Sequence, residues 1–154
     1  MIVITRIDER LVHGQIGASW AIVYNIDRVV VVDDEAANSE IEKITFELAI
    51  ALPRRLSLLK MDDAVKFLNE KTSERLLIVT KSPHAVLNLI RNGVDIRSVN
   101  VGGMYFLPGR KRITRAVYLN DDDKSVFLEL KKAGIEAEIR CAPHDRSIDL
   151  YRSI

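Results

Sequence analysis

Cysteine is almost absent: Cys141 stands alone among 154 residues. A lone thiol closes no internal disulfide and points to a reducing compartment. We expect Cys141 to be a small, at least half-buried apolar residue. Charge of one sign is not in excess either. Twenty-three Lys and Arg face 22 Asp and Glu, a net charge of +1, which argues against a dedicated nucleic-acid binder. No apolar run approaches the roughly 18–20 residues of a membrane span, and no signal peptide precedes the first strand. The chain is therefore expected in the cytoplasm, meeting a membrane only through partners. The dinucleotide pattern G-x-G-x-x-G and the phosphate loop G-x-x-x-x-G-K-[ST] are both missing. No His or Cys pairs have zinc spacing. Neither a cofactor nor a metal is expected.

Of the residues, 47% are hydrophobic and 29% charged. That composition and length suit one soluble domain over residues 1–154 with a sizeable core. Strand and helix patterns alternate. Residues 2–5 read as a first strand and 15–25 as a first helix. Residues 28–32 are a β-branched run, as in a strand buried on both faces. A helix over 38–52 is stopped by Pro53, with Ser39 and Glu42 at capping-box spacing. Strand 55–60, helix 61–69 and strand 75–80 follow. Ser82-Pro83 starts another helix that Gly93 ends. Strands 98–101 and 114–119 come next. Asn120 caps a helix that opens on Asp121-Asp122-Asp123 and closes on Lys131-Lys132, charges matched to its dipole. Residues 136–140 are the last strand. The alternation predicts a doubly wound α/β fold: a mostly parallel open sheet with helices on both faces.

His13 falls on the turn between the first strand and the first helix, where backbone N–H groups favour an anion. Arg10, three residues earlier, carries a planar fork suited to phosphate oxygens. A neutral imidazole is a good nucleophile near pH 7, and phosphoryl transfer needs mainly positioning and charge stabilisation. Such a site suits a phosphoryl group on a ring nitrogen; equally, a lone His before Gly is often a polar turn residue. Asp8 either orients Arg10 or His13 or bonds its own turn. For Arg6 we expect a surface carboxylate as partner. Gly102-Gly103 either lets backbone approach a phosphate or makes a turn; the phosphate role is slightly favoured. His84 and His144 read as solvated, and 121–123 as a helix start.

The segment Arg6-Ile7-Asp8-Glu9-Arg10-Leu11-Val12-His13-Gly14-Gln15 resembles the R-I-D-[DE]-R-[LF]-[IV]-H-G-Q signature of the EIIB component of the mannose/fructose/sorbose phosphotransferase-system family. Position 9 is Glu where many members have Asp. Val31-Val32-Asp33-Asp34-Glu35, Val99-Asn100-Val101-Gly102-Gly103-Met104, Pro108-Gly109-Arg110-Lys111 and Ala116-Val117-Tyr118-Leu119 are similar to further family segments. Tyr105 carries no inference, because members vary there. The resemblance spans essentially the whole chain. It implies about seven strands, with the first between the fourth and fifth, so that the loops at 80–82 and 102–103 flank His13.

The resemblance further implies a phosphotransferase. His13 would take a phosphoryl group from an EIIA partner, at Nδ1, and pass it to a sugar held by membrane EIIC/EIID. Arg10 would be catalytic; Asp8, Gly14, Gln15, Gly102 and Gly103 would bind phosphate or support. Arg6, Arg10 and the loop at 102–104 would edge an exposed docking face. The alternative is a regulatory or interaction module of the same fold that transfers nothing to sugar. A free-standing hydrolase with His13 as base ranks third.

Overall fold

A computed structural model describes the chain except Gln15, Ala51, Leu52 and the side chain of Ala18. Its main sheet has seven strands in the order β3-β2-β4-β1-β5-β8-β9. These are β1 (Ile2–Asp8), β2 (Arg28–Val32), β3 (Arg55–Leu59), β4 (Leu76–Thr80), β5 (Ser98–Gly103), β8 (Glu136–Ile139) and β9 (Ile148–Asp149). All pair in parallel except β9, which runs antiparallel to β8 at the edge. Strand β1 lies between β4 and β5, as expected. Ile7 pairs with Thr80 on one side and Val101 on the other, and a register shift then sets Asp8 opposite Gly103.

Over β2 and β4 both faces of the sheet are covered by apolar packing, which is why β2 is an unbroken hydrophobic run. Val30, Ile78, Ile7 and Val101 pack against α4 (Met61–Asn69), α5 (Pro83–Arg91) and α6 (Asp121–Lys132). Val29, Val31, Leu77 and Val79 pack under Ile16, Trp20, Ala21 and Phe46. That second core takes no side chain from β5 or β8. There the sheet presents Asn100 and Glu138, which bond to each other. Caps set the helix starts. Asn120 and Asp123 form a capping box, and Ser82 accepts from the Ala85 N–H ahead of Pro83. These interactions satisfy N–H groups that would otherwise lack partners.

Four local expectations are corrected. The first helix is not regular: Ile16–Trp20 is π-helical and leads into a short α1 (Ala21–Val23). Gly17 permits this close packing, since a Cβ there would run into the Ala49 carbonyl. The expected helix over 38–52 starts earlier and divides at extended Ser39 into α2 (Asp34–Ala37) and α3 (Glu40–Ala49). Asp33 caps the first piece and Ser39 the second; residues 51 and 52 lie outside the described residues. The expected strand 114–119 shrinks to β7 (Tyr118–Leu119), which pairs with β6 (Lys111–Arg112) in a separate two-stranded ribbon. The seventh strand of the main sheet is instead β9, two exposed residues whose pattern gives no strand signal. Among the described residues, no helix is long and apolar enough to cross a membrane.

Candidate functional site

Strand β1 ends at Asp8, and the chain turns sharply. The Glu9 N–H donates to the Gly103 carbonyl and the Leu11 N–H to the Asp8 carbonyl, both at 2.9 Å. Leu11 sits at φ 57°, the left-handed region that a branched side chain rarely occupies. That conformation costs of order 1–3 kcal/mol. Burial of Leu11 and Val12 in the second core offsets it, at about 1.5–3 kcal/mol per side chain. The two apolar anchors thus fix the backbone that presents His13. The His13 carbonyl then accepts from the N–H groups of Ile16 (2.9 Å) and Gly17 (3.4 Å). Those helix-start donors are therefore occupied. Gly14 is exposed, with no hydrogen bond to its N–H among the described residues. Gln15 lies outside the described residues.

The His13 ring is held from one side. Its Nε2 is 2.9 Å from Asp8 Oδ2. An ionised carboxylate only accepts, so the ring proton belongs on Nε2. Nδ1 then keeps its lone pair, and no protein group bonds to it among the described residues. The side chain is 17% exposed. Arg10 approaches the same ring, with Nη2 3.3 Å from Nε2. With the proton on Nε2 both groups are donors and cannot bond each other, so Arg10 is held by charge: its Nε is 3.9 Å from Asp8 Oδ1, and its own backbone N–H donates to that oxygen at 3.1 Å. The Arg10 side chain is 57% exposed, leaving its fork free to meet an anion beside His13.

Asp8 itself is fully buried. Burial pushes its carboxyl upward, but the His13 hydrogen bond, the Arg6 charge and the Arg10 N–H prevail and hold it below the ordinary value. Asp8 thus joins three donors, orienting both His13 and Arg10 while bonding its own turn.

Arg6 corrects the expectation of a surface pair: it is 1% exposed. Nη2 donates to Asp8 Oδ2 (3.2 Å) and the Cys141 carbonyl (3.1 Å), while Nη1 donates to Asn100 Oδ1 (2.5 Å) and the Arg140 carbonyl (3.1 Å). The guanidinium also lies 5.0 Å from the centre of the Trp20 ring, a cation–π contact. Burial pulls its pKa below the ordinary arginine value, opposed by Asp8. Arg6 therefore edges no docking face; it anchors the carboxylate that anchors the histidine. This also revises Gly102. A Cβ there would fall on the Arg6 guanidinium, and one at Gly103 on the Tyr105 hydroxyl. The two glycines end β5, both buried, and their missing side chains make room for these groups. Cys141 is half-buried, as expected, with its Sγ 3.6 Å from the Gly102 carbonyl.

Sequence reasoning passed over Tyr105. Its ring centre lies 5.5 Å from the Arg10 guanidinium. Its N–H donates to Glu9 Oε1, which also pairs with Arg110 at 2.9 Å, and Arg110 donates back to the Tyr105 carbonyl at 2.8 Å. Nothing local in the sequence couples positions 9, 105 and 110, although the Glu at 9 was a visible departure. On the other flank, Thr80 donates to the Ser82 carbonyl, and Lys81 lies 3.3 Å from Asp33. His84 stays apart from the cluster, paired with Asp122 at 2.6 Å, and His144 is exposed beside Asp145. Among the described residues, no group of three or more His, Cys, Asp and Glu could hold a metal ion.

The chain is similar to known proteins over nearly its whole length. The sorbose-specific EIIB component of Klebsiella pneumoniae is 32% identical over 155 residues, covering 99% of this chain and 94% of the relative. The mannose-specific EIIAB component of Escherichia coli K12 is 34% identical over 152 residues; they cover 96% of this chain but 46% of that longer protein. The crystal structure of the IIBSor domain of the K. pneumoniae sorbose permease superposes with a TM-score of 0.94 at 31% identity, covering 99% of this chain and 95% of that one. Residues 2–154 match the family described as PTS system sorbose subfamily IIB component, and the chain belongs to that family.

Proposed function

We propose that residues 1–154 form one cytoplasmic phosphocarrier domain, a protein-phosphohistidine–sugar phosphotransferase with His13 as its carrier residue. The Nδ1 lone pair attacks the phosphorus of a phosphohistidine on EIIA. The new N–P bond forms as the donor's N–P bond breaks, and that electron pair returns to the donor ring. No proton need leave His13. The ring becomes cationic as it takes the group, and the Nε2–H bond to Asp8 strengthens with that charge. Arg10 meets the phosphoryl oxygens, whose charge is about −1.5 to −2, with the exposed Gly14 beside it. In the next step a sugar hydroxyl oxygen at membrane EIIC/EIID attacks the phosphorus, the His13 N–P bond breaks with its electron pair returning to Nδ1, and the hydroxyl proton passes to a base at the sugar site or to water. The E. coli relative named EIIAB supports an EIIA donor, since its name joins both components.

The observation that carries this is the Asp8 contact: buried Oδ2 lies 2.9 Å from His13 Nε2, which assigns the ring proton to Nε2 and leaves Nδ1 free. The test is incubation with phosphorylated EIIA, followed by mapping of the acid-labile, base-stable label. We expect it on His13, and none on a folded His13→Ala protein. Label that persists in this variant, on His84 or His144, overturns the assignment.

A further inference from the structure

Charge in this chain is nearly balanced, but it is not evenly placed. Residues 105–119 hold Arg110, Lys111, Arg112 and Arg115 and no carboxylate, so with a net charge of +1 the rest of the chain is −3. Arg110 is spent internally, on Glu9 and Asp123. Lys111, Arg112 and Arg115 are exposed and have no salt bridge among the described residues. Ahead of them Phe106 and Leu107 are 68% and 52% exposed. A short ribbon carries the cations: Lys111 pairs with Leu119 and Arg112 with Tyr118. Phe106 is braced edge-on against Tyr118, with ring centres 6.0 Å apart. The ribbon is tied to the sheet by the Tyr118 N–H bond to the Met104 carbonyl at 2.7 Å. The segment is therefore a fixed arm that keeps an apolar tip and three free cations in solvent.

We infer that this arm is the docking surface for the phosphoryl donor, a protein that offers an acidic rim and an apolar notch around its phosphohistidine. The inference rests on the phosphocarrier reading above. Continuity with the site supports it: Tyr105 and Arg110 pin the base of the arm to Glu9 and Arg10, so a partner seated on the arm lies next to the loop that carries His13. Charge selects the donor over the acceptor. The donor arrives carrying an anionic phosphoryl group toward a cationic arm. After transfer that negative charge belongs to His13, the attraction weakens, and the donor leaves. A neutral sugar has no such asymmetry. Transient contacts of this type are small in area, and complementary charge acts mainly on the association rate.

The test uses an EIIA protein that phosphorylates the wild-type chain, and phosphoramidate as a small donor that needs no docking. The triple variant Lys111→Gln/Arg112→Gln/Arg115→Gln should accept from EIIA at least about tenfold more slowly at low ionic strength. The gap should narrow at about 0.15 M salt, where the screening length is about 8 Å. Phe106→Ser should also slow transfer, but by a factor that salt does not change. Both variants should take phosphate from phosphoramidate at the wild-type rate. A triple variant as fast as wild type with EIIA overturns the inference. So does equal slowing with both donors, which would place the defect at His13, or slowing confined to the later step to sugar in membranes. Wild-type chain that phosphorylated EIIA labels somewhere other than His13 would instead overturn the phosphocarrier reading.

Discussion

Asp8→Asn keeps the shape of the side chain and removes one charge and one acceptor. In the native site Oδ2 accepts from His13 Nε2 at 2.9 Å and Arg6 Nη2 at 3.2 Å, while Oδ1 accepts from the Arg10 N–H at 3.1 Å. An amide has one oxygen to offer. With that oxygen toward His13 and Arg6, its NH2 meets the Arg10 N–H, donor against donor. Flipped, the NH2 faces Nε2 and forces the ring proton onto Nδ1, which removes the attacking lone pair. Either way the cationic ring of the transition state loses a charge-assisted hydrogen bond, worth about 1.5–3 kcal/mol. At 1.36 kcal/mol per decade, transfer should slow by about 10- to 150-fold. Single-turnover rapid quench with phosphorylated EIIA measures this directly. A urea titration of the same variant separates slow chemistry from lost structure. A folded Asp8→Asn protein that accepts phosphate at the wild-type rate would refute the idea that Asp8 sets the tautomer.

Arg10→Lys should slow the same step by at least about tenfold, or roughly 1.4 kcal/mol, because a point charge replaces a planar fork; unchanged rapid-quench rates would make Arg10 a bystander. Gly102→Ala places a Cβ on the Arg6 guanidinium and should cost about 1–3 kcal/mol in urea unfolding. That loss should shrink in an Arg6→Met background, because the two positions share one space. Burial raises the Asp8 carboxyl, yet the His13 bond and the Arg6 charge hold its folded pKa below the ordinary value. Since the unfolded value is about 3.9, this stabilisation is complete above that pH and disappears as pH falls through the folded value. Urea midpoints of wild type and Asp8→Asn should therefore converge in acid; a constant gap down to about pH 2 would contradict the shift.

What was legible in the sequence was whatever is written locally or in a contiguous motif. Continuous β-branched runs such as 28–32 gave the sheet covered on both faces, and Asn120, Ser82 and Ser39 marked helix starts through side chains that cap the next turn. His13, Arg10 and Asp8 stand within six residues, so their cluster follows from one turn. Arg6 was misread because an isolated arginine is mostly exposed, and its partners Asn100, Arg140 and Cys141 lie 94 to 135 positions away. Tyr105 was passed over for the same reason: its tie to Glu9 spans 96 positions. The π-helical turn at Ile16–Trp20 depends on the close approach of Gly17 to Ala49, which periodicity does not encode.

The placement of Arg6 and Asp8 on the middle strand has a consequence for how the site fails. Loop tips in most proteins open at little cost, whereas the central strands of a sheet open only when the domain as a whole unfolds. His13 is on a loop, but its proton is held by a residue of β1, which is bonded on both edges by β4 and β5. Freeing Asp8 from its place means separating those strands. A folded chain in which Asp8 has left its place should therefore be no more abundant than a chain that is unfolded altogether. The carboxylate half of the pair is in effect all-or-none: whenever the loop brings His13 home, the acceptor for its proton is already in position.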